Sequence, residues 1–230
     1  MAPAELGTVI VTGGSSGLGD AVAHAVHDAG GVPVVLDLQP PANGFAAQLV
    51  DLADTRASEA AVEAVARAHG PVRGVVTAAG IDSCGQLADV DAADWERVIA
   101  VNLLGTAAVV RAALPHLERS AGRVITVAST LGLKAVSDAT AYCASKFGVV
   151  GFTRALAAET AGRVGVTLLI PGGMQTRFFD GRPEQYKPGA DARLADPSEI
   201  AQAVVFALSR PAGVELRELV MAVDTEPSWP

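Results

Sequence analysis

A glycine-rich turn between an apolar run and a helical pattern is the feature that most constrains the fold of this chain. Residues 6–11 predict a short buried strand, and residues 12–19 read T-G-G-S-S-G-L-G. A helix is expected next, because Val22 and Val26 share one face and Gly30 and Gly31 end the pattern. A strand, a glycine turn and a helix N-terminus together present backbone N–H groups that can receive a pyrophosphate. The G-x-x-x-G-x-G spacing differs from the usual dinucleotide fingerprint, and a merely flexible turn is the alternative.

A second apolar run, residues 32–36, predicts a strand that ends in Asp37. An acidic residue about 20 positions after such a turn hydrogen-bonds the ribose hydroxyls of NAD and repels the 2′-phosphate of NADP. The glycine turn and residues 38–41 contain no arginine or lysine. We therefore expect NAD as the cofactor rather than NADP, the alternative being that Asp37 is an ordinary exposed loop aspartate.

A third apolar run, residues 124–128, predicts a buried strand that leads into Ser129, and a helical pattern begins near Thr140. Tyr142 and Lys146 lie four positions apart, so a helix places both side chains on one face. Ser129 reaches the same space if the intervening loop folds back over the sheet edge. A hydroxyl, a phenol and an ammonium group that converge there could stabilise an alkoxide and move a proton.

Strand and helix patterns alternate along the whole chain, which predicts an α/β fold: a doubly wound parallel sheet with helices on both faces. Strands are expected at residues 6–11, 32–36, 48–51, 72–77, 124–128, 164–170 and 216–223. The 230 residues are 50% hydrophobic, which suits a single domain over residues 1–230 with a large core. In such folds the ligand lies beyond the carboxyl ends of the strands.

Several small or polar residues follow the predicted strands at that edge. Asp51 and Leu52 follow the third strand, where they could flank an adenine. Ala78, Ala79 and Gly80 follow the fourth strand, and small residues there indicate close approach to a ligand, although a tight turn explains them equally well.

The sixth strand is followed by a segment rich in glycine, proline and charge, which we interpret as a substrate lid at about residues 174–195. Phe178, Phe179 and Tyr186 favour a lid over a simple linker. The lid cations, Arg182 among them, could meet an acidic group of the substrate or only solvent. The identity of the substrate stays open.

Asn102 lies in the middle of a long helix that Asp91 or Asp94 is expected to cap. Asparagine has a poor helix propensity and needs a hydrogen-bond partner there. From the residues alone, a satisfied core asparagine is the simplest interpretation.

Composition argues against several other classes of protein. The net charge of −8 and the interspersed acids and bases argue against a nucleic-acid-binding surface. No apolar run approaches the ~20 residues of a membrane helix, and the N-terminus lacks a signal-peptide pattern, so we expect a cytoplasmic protein without a membrane partner. Cys84 and Cys143 are expected to be buried or semi-buried free thiols, and no residues have metal-ligand spacing.

Four ordered motifs resemble the short-chain dehydrogenase/reductase family over nearly the whole chain. They are T-G-x-x-x-G-x-G at residues 12–19, the serine at Ser129, Y-x-x-x-K at residues 142–146 and P-G-x-x-x-T at residues 171–176. The resemblance implies a Rossmann fold, a nicotinamide cofactor and interconversion of a secondary alcohol with a ketone. It also implies a homotetramer or homodimer, commonly built on the two long helices around Asn102 and Lys146.

The resemblance also implies a role for each matching residue. Tyr142 is expected to be the general acid/base, and Lys146 to stabilise its phenolate and to hold the nicotinamide ribose. Ser129 is expected to hydrogen-bond the substrate oxygen, and Asn102 to help hold a water that passes protons to solvent. The predicted cofactor-binding residues are Gly13, Ser15, Ser16, Gly17, Leu18, Gly19, Asp37, Asp51, Leu52, Ala78, Ala79, Gly80, Tyr142, Lys146, Pro171, Gly172, Met174 and Thr176.

Two stretches depart from the family pattern. Residues 77–80 read T-A-A-G where N-N-A-G is common, which is expected to loosen a support of the central sheet while leaving room for the cofactor. The C-terminus lacks the common D-G-G, and its residues 226–230 are expected to serve subunit contacts.

The leading hypothesis is therefore an NAD(H)-dependent alcohol dehydrogenase or ketone reductase acting on a small molecule. An NADPH-dependent ketoreductase, such as a 3-oxoacyl reductase, is the alternative within the same class. A protein that binds a dinucleotide without turnover is the alternative from a different class, and the intact set of Ser129, Tyr142, Lys146 and Asn102 argues against it.

Overall fold

The computed structural model describes residues 5–229 as a seven-stranded, wholly parallel sheet in the order β3-β2-β1-β4-β5-β6-β7, with helices on both faces. The predicted α/β fold is confirmed. The strands are β1 (Thr8–Thr12), β2 (Val32–Asp37), β3 (Ala46–Leu49), β4 (Val72–Thr77), β5 (Arg123–Val127), β6 (Gly165–Pro171) and β7 (Glu218–Met221). The helices are α1 (Gly17–Asp28), α2 (Thr55–His69), α3 (Ala92–Ile99), α4 (Thr106–Ser120), α5 (Thr140–Glu159) and α6 (Pro197–Leu208).

The core consists of two apolar layers, one on each face of the sheet. On one face, Ile10 of β1 packs in a cluster with residues of α2 and α4. On the other face, Val9 and Val11 pack in a cluster with residues of α1 and α6. Because helices cover both faces, the central strands are buried throughout, which explains their continuous apolar runs.

The element boundaries differ from the sequence prediction mainly at the edges of the sheet. Strand β3 covers Ala46–Leu49 rather than residues 48–51, and β7 is shorter than expected. Helix α2 begins at Thr55 because Asp54 caps it, accepting hydrogen bonds from the N–H groups of Arg56 and Ala57. The result is that Asp51 lies in a turn beyond β3.

The long helix that contains Asn102 is continuous but irregular. It is capped by Asp91 and passes from α3 through a π-helical turn, Ala100–Gly105, into α4. A Cβ at Gly105 would lie 2.6 Å from the carbonyl oxygen of Leu52, so the turn packs directly against the chain after β3.

That same run, Ala92–Ser120, is long and apolar enough to span a membrane by length and composition. The expectation that no apolar run approaches such a length was wrong, because the helix contains few charges over an 18-residue window. Half of this window is buried inside the fold, as in the core helix of a globular protein.

Candidate active site

A cavity of about 1210 Å³ lies beyond the carboxyl ends of the parallel strands. Its walls come from the turn after β1, the ends of β2, β4, β5 and β6, the first turn of α5, the segment between β6 and α6, and the chain after β7. All the predicted site residues except Ser15 and Asn102 line it: Gly13, Ser16, Gly17, Leu18, Gly19, Asp37, Asp51, Leu52, Ala78, Ala79, Gly80, Ser129, Tyr142, Lys146, Pro171, Gly172, Met174 and Thr176.

The glycine turn owes its shape to two close approaches of the backbone. Gly13 has φ +70°, and a Cβ there would lie 2.7 Å from the Cα of Ala79. A Cβ at Gly19 would collide with the carbonyl oxygen of Gly13. The absence of both side chains lets the N-terminus of α1 open directly onto the cavity, in the arrangement that receives a pyrophosphate.

Asp37 lies at the end of β2 and faces the same part of the cavity. One of its carboxylate oxygens accepts hydrogen bonds from the backbone N–H of Ser15, at 3.0 Å, and from the Ser15 hydroxyl, at 2.5 Å. The other oxygen accepts one from the N–H of Gln39. Ser15 was predicted to contact the cofactor, but it lies outside the cavity lining and instead holds the Asp37 carboxylate.

Asp51 faces the cavity beyond β3 and is paired with Arg97, a residue that no sequence pattern indicated. Its carboxylate accepts a hydrogen bond from the backbone N–H of Ala53, at 2.9 Å, and lies 3.1 Å from the guanidinium of Arg97 on α3. The Ala53 N–H, and then Arg97, lower the pKa of Asp51. Arg97 also lines the cavity, and no local pattern marks it because its partner lies 46 positions away.

Lys146 and Tyr142 project from one face of α5, with the ammonium nitrogen 5.6 Å from the centre of the phenol ring. The Lys146 Nζ donates a hydrogen bond of 2.9 Å to the carbonyl oxygen of Val127, at the end of β5. Its side chain is buried, and that burial lowers the Lys146 pKa to about 8.

The Ser129 hydroxyl lies beside the Tyr142 phenol, and both groups face the cavity. Burial is the largest influence on the phenol and raises the pKa of Tyr142 to about 12, against the lowering effect of Ser129. The Ser129 Oγ also accepts a hydrogen bond from the N–H of Leu131, which orients the hydroxyl at the end of β5. In the free protein the phenol is therefore held in its protonated form.

Asn102 was predicted as a site residue, but its side chain lies behind the cavity wall rather than in it. Its Oδ1 accepts a hydrogen bond from the N–H of Ile81, at 2.9 Å, and its Nδ2 donates to the Ile81 carbonyl, at 2.8 Å. The second Nδ2 proton goes to the hydroxyl of Ser145, which in turn donates to the carbonyl of Tyr142. Asn102 thus joins the π-helical turn to the loop after β4 and to α5.

The departure from N-N-A-G leaves one visible trace in the structure. Among residues 5–229, the Thr77 hydroxyl is the one buried side-chain polar atom without a hydrogen-bond partner. Two residues later the N–H of Ala79 donates to the hydroxyl of Thr12, at 3.1 Å, which joins β4 to β1. Part of the expected loss of support is therefore offset by the neighbouring strand.

The segment between β6 and α6 crosses the cavity above Tyr142. It contains two short 3₁₀ turns, Arg177–Phe179 and Glu184–Tyr186. The ring of Phe178 lies 5.5 Å from the ring of Tyr142, centre to centre. The position of Phe178 therefore limits access to the phenol.

The chain after β7 folds back onto the cavity, which the sequence did not reveal. Residues 226–229 were expected to serve subunit contacts, which a single chain does not test. Within the chain, Glu226 and Ser228 line the cavity, and Pro230 lies outside the described residues. The Glu226 carboxylate accepts hydrogen bonds from the N–H of Gly173, at 2.9 Å, and from the N–H and hydroxyl of Ser228. The Ser228 hydroxyl also lies 2.6 Å from that of Thr130.

The two glycines after β6 make room for this carboxylate. A Cβ at Gly172 would collide with the Oε2 of Glu226, and one at Gly173 would lie 3.8 Å from it. Burial acts to raise the pKa of Glu226, but the hydrogen bonds from Ser228 and Gly173 outweigh it and lower the pKa overall. Glu226 is therefore held as a carboxylate that connects the tail to the loop after β6.

Comparison with known proteins gives a consistent result. Residues 7–187 match the family model described as short chain dehydrogenase. The chain is 34% identical to 2-(S)-hydroxypropyl-CoM dehydrogenase 3 of Xanthobacter autotrophicus over 87% of this chain and 89% of that protein. It is 35% identical to D-threitol dehydrogenase of Mycolicibacterium smegmatis over 87% of this chain and 85% of that protein.

A solved structure extends the similarity to the fold. A variant of the actinorhodin polyketide ketoreductase, crystallised with NADPH, superposes with a TM-score of 0.84 and 29% identity. The match covers 96% of this chain and 98% of that chain.

Proposed function

The chain belongs to the short-chain dehydrogenase/reductase family of oxidoreductases, and from that premise we propose that it interconverts a secondary alcohol and a ketone by hydride transfer with NAD(H). The observation that carries the proposal is one cavity with two chemically different ends. Ser129, Tyr142 and Lys146 lie at one end, and the glycine turn and Asp37 lie at the other. The relatives named above are dehydrogenases, which supports the same reaction class.

The residues present fit a nicotinamide dinucleotide. The N-terminus of α1, with Ser16, Gly17 and Leu18, would hold the pyrophosphate, and Asp37 the adenosine ribose. Asp51 and Leu52 would flank the adenine. The nicotinamide half would lie among the residues that follow β4 and β6: Ala78, Ala79, Gly80, Pro171, Gly172, Met174 and Thr176. When bound, the cofactor supplies or takes the hydride.

The preference for NAD over NADP rests on Asp37. Its carboxylate is held by Ser15 and Gln39 at the cavity wall, so a 2′-phosphate would be placed against a negative charge. An NADPH-dependent ketoreductase is the second candidate, because the similar ketoreductase was solved with NADPH.

The side chains of the protein would transfer a proton and stabilise the charge on the substrate oxygen. Ser129 would donate a hydrogen bond to that oxygen, and Tyr142 would exchange a proton with it. In the free protein the Tyr142 pKa is about 12, so alcohol oxidation requires the phenolate to be stabilised further, a task suited to the ammonium of Lys146.

Asn102 is proposed to act as a positioning residue. Both of its amide protons and one acceptor position are used by Ile81 and Ser145. Any part that Asn102 takes in holding a proton-carrying water would therefore have to use the remaining acceptor position of its Oδ1 or its backbone carbonyl.

Three further features belong to the proposal. Residues 1–230 form one catalytic domain, and the segment 174–195 is its substrate lid, because Phe178 covers Tyr142. Leu104 and Phe147 are exposed apolar side chains on the long helices around Asn102 and Lys146, which supports a homotetramer or homodimer. A cytoplasmic location, without nucleic-acid or membrane partners, remains an expectation from the sequence.

The proposal is tested by titrating the purified protein with NADH and NADPH while following nicotinamide fluorescence, and then by screening secondary alcohols with NAD. We expect the native protein to bind NADH more tightly than NADPH. We also expect it to turn over a secondary alcohol, whereas Tyr142→Phe should not. Tighter binding of NADPH would favour the second candidate. Binding without turnover of any alcohol or ketone would favour a non-catalytic dinucleotide-binding protein.

A further inference from the structure

The cations of the proposed lid are already paired with carboxylates of this chain. Among the described residues the pairs are Arg177 with Asp180, Arg182 with Asp82, Lys187 with Glu184, and Arg193 with Asp224. Three of these pairs lie largely in solvent, where ion pairs contribute little. The pair of Arg182 with Asp82 is different, because the two side chains are only 16% and 6% exposed.

Asp82 is rigidly held on the loop after β4. One of its oxygens accepts a hydrogen bond from the N–H of Ser83, at 2.8 Å. The other accepts from the guanidinium of Arg182, at 2.9 Å, and from the thiol of Cys84, at 3.3 Å. Burial, and then the charge of Asp82, raise the Cys84 pKa to about 11, so the thiol keeps the proton that it donates.

Arg182 is held from the other side by two aromatic rings. Its guanidinium carbon lies 4.6 Å from the ring centre of Phe178 and 4.8 Å from that of Phe179. Phe178 in turn packs against Tyr142. The buried ion pair therefore lies in the part of the cavity where the substrate meets the phenol, and both of its members line that cavity.

The remaining charges around Tyr142 do not offer an anion a partner. Asp138 and Glu226 line the same cavity and add negative charge. Lys146 is buried against the Val127 carbonyl and faces the phenol. The other arginines of the lining, Arg97, Arg177 and Arg193, belong to pairs that are exposed to solvent. A carboxylate close to the reacting carbon would instead have to displace Asp82 from Arg182, which leaves a buried Asp82 without its partner, at a cost in affinity.

We propose that Asp82, by neutralising Arg182 inside the substrate pocket, makes the enzyme select uncharged secondary alcohols and ketones and reject those with a carboxylate near the reacting carbon. The inference rests on the proposed function and adds a substrate class to it. Asp82 and Arg182 are specificity-determining residues in this proposal, with no part in proton or hydride transfer.

The test compares matched substrates that differ in charge but hardly in shape. The kcat/KM values for 3-hydroxybutyramide and 3-hydroxybutyrate, and for longer carboxamide and carboxylate pairs, are measured on the native protein and on variants. The native protein is expected to prefer the amide by about tenfold or more. Asp82→Asn frees the guanidinium and is expected to shift that preference towards the carboxylate by about tenfold.

Two further variants separate charge selection from structural damage. Arg182→Gln leaves Asp82 without its cation and should increase rejection of the carboxylate, the opposite sign to Asp82→Asn. Asp82→Glu keeps the charge and should retain the preference of the native protein. A general loss of structure would lower kcat/KM for both substrates together and leave their ratio unchanged.

The outcomes distinguish this inference from the function on which it rests. A native preference for carboxylates, or ratios that stay equal in Asp82→Asn and Arg182→Gln, would overturn the role of the ion pair while leaving the dehydrogenase reaction intact. If NADH binds but no alcohol of either kind is turned over by any variant, the proposed function fails and the inference fails with it.

Discussion

The ammonium group of Lys146 donates a hydrogen bond of 2.9 Å to the carbonyl oxygen of Val127, and this contact holds a charged side chain inside the protein. Burial opposes that charge and lowers the Lys146 pKa from 10.5 to about 8. Lys146 is thus placed to act on Tyr142, but burying its charge lowers the free energy of unfolding.

The pH dependence of stability should reveal this buried lysine. Between about pH 8 and 10.5 the unfolded chain keeps the Lys146 proton while the folded chain releases it, so this group makes stability rise with pH, by at most roughly 3 kcal/mol. Urea unfolding across this range should show the native protein gaining stability relative to Lys146→Met, since the other titrating groups are common to both proteins. An identical pH profile for the two proteins would contradict the lowered pKa.

Tyr142 should remain protonated in the free protein well above the pH at which an ordinary tyrosine ionises. Burial raises its pKa from 10.0 to about 12, and because the folded form then holds the proton longer, stability from this group is lost as pH rises from about 10 to 12. The ultraviolet absorbance of phenolate, compared between the native protein and Tyr142→Phe, isolates this residue from Tyr186. A full phenolate difference already at pH ~10 would show that the phenol is not buried as described.

Replacing Tyr142 by phenylalanine should remove turnover and keep cofactor binding. The substitution deletes the hydroxyl that exchanges the proton, and loss of a general acid/base costs about 10²–10⁴ in rate. The measurements are kcat with any accepted alcohol and the NADH dissociation constant from fluorescence. A variant with full activity would rule out Tyr142 as the acid/base.

Asp37→Ala should narrow the preference for NADH over NADPH, by about tenfold, because the carboxylate that repels a 2′-phosphate is gone. The two dissociation constants are compared by nicotinamide fluorescence. Ser15→Ala is the matched control, since it removes a hydrogen bond to Asp37 and keeps its charge. That control should weaken NADH binding without improving NADPH binding, and an unchanged ratio in Asp37→Ala would refute the selection by charge.

Glu226→Ala should alter the part of the cavity that follows β6, although Glu226 belongs to the C-terminal tail. It leaves the N–H of Gly173 without its acceptor, which is expected to cost about 1–3 kcal/mol in the free energy of unfolding and to raise KM for the alcohol. Glu96→Gln, which also removes a negative charge but on the exposed surface of α3, should change neither. If Glu226→Ala keeps the KM and the stability of the native protein, the contact between the tail and Gly173 does not support the site.

Much of the site could be predicted because its parts follow local rules. The glycine turn, Asp37 and Ser129 each lie at or just beyond the carboxyl end of a strand, and parallel strands bring these ends to one edge. Tyr142 and Lys146 share a helix face by spacing alone. The positions of these residues could therefore be predicted without knowing the path of distant loops.

The contacts that the sequence concealed join residues with no common periodicity. Arg182 meets Asp82 across 100 positions, Glu226 meets Gly173 across 53, and Arg97 meets Asp51 across 46. Each pair depends on the path of an irregular segment, and many acids and bases of the chain could have paired otherwise. Ser15 and Asn102 show the reverse case, in which a recognisable position proved to support a neighbour rather than face the cavity.

The sequence by itself determined the parallel α/β fold and the edge at which Ser129, Tyr142 and Lys146 collect, because strand burial, helix spacing and glycine turns are local properties. Only the tertiary structure decided that the Asn102 side chain bonds Ile81 and Ser145, and that Glu226 and Ser228 of the tail line the cavity. It also decided the ion pair beside Tyr142, because a hydrogen bond or ion pair depends on distances that only the packed chain defines.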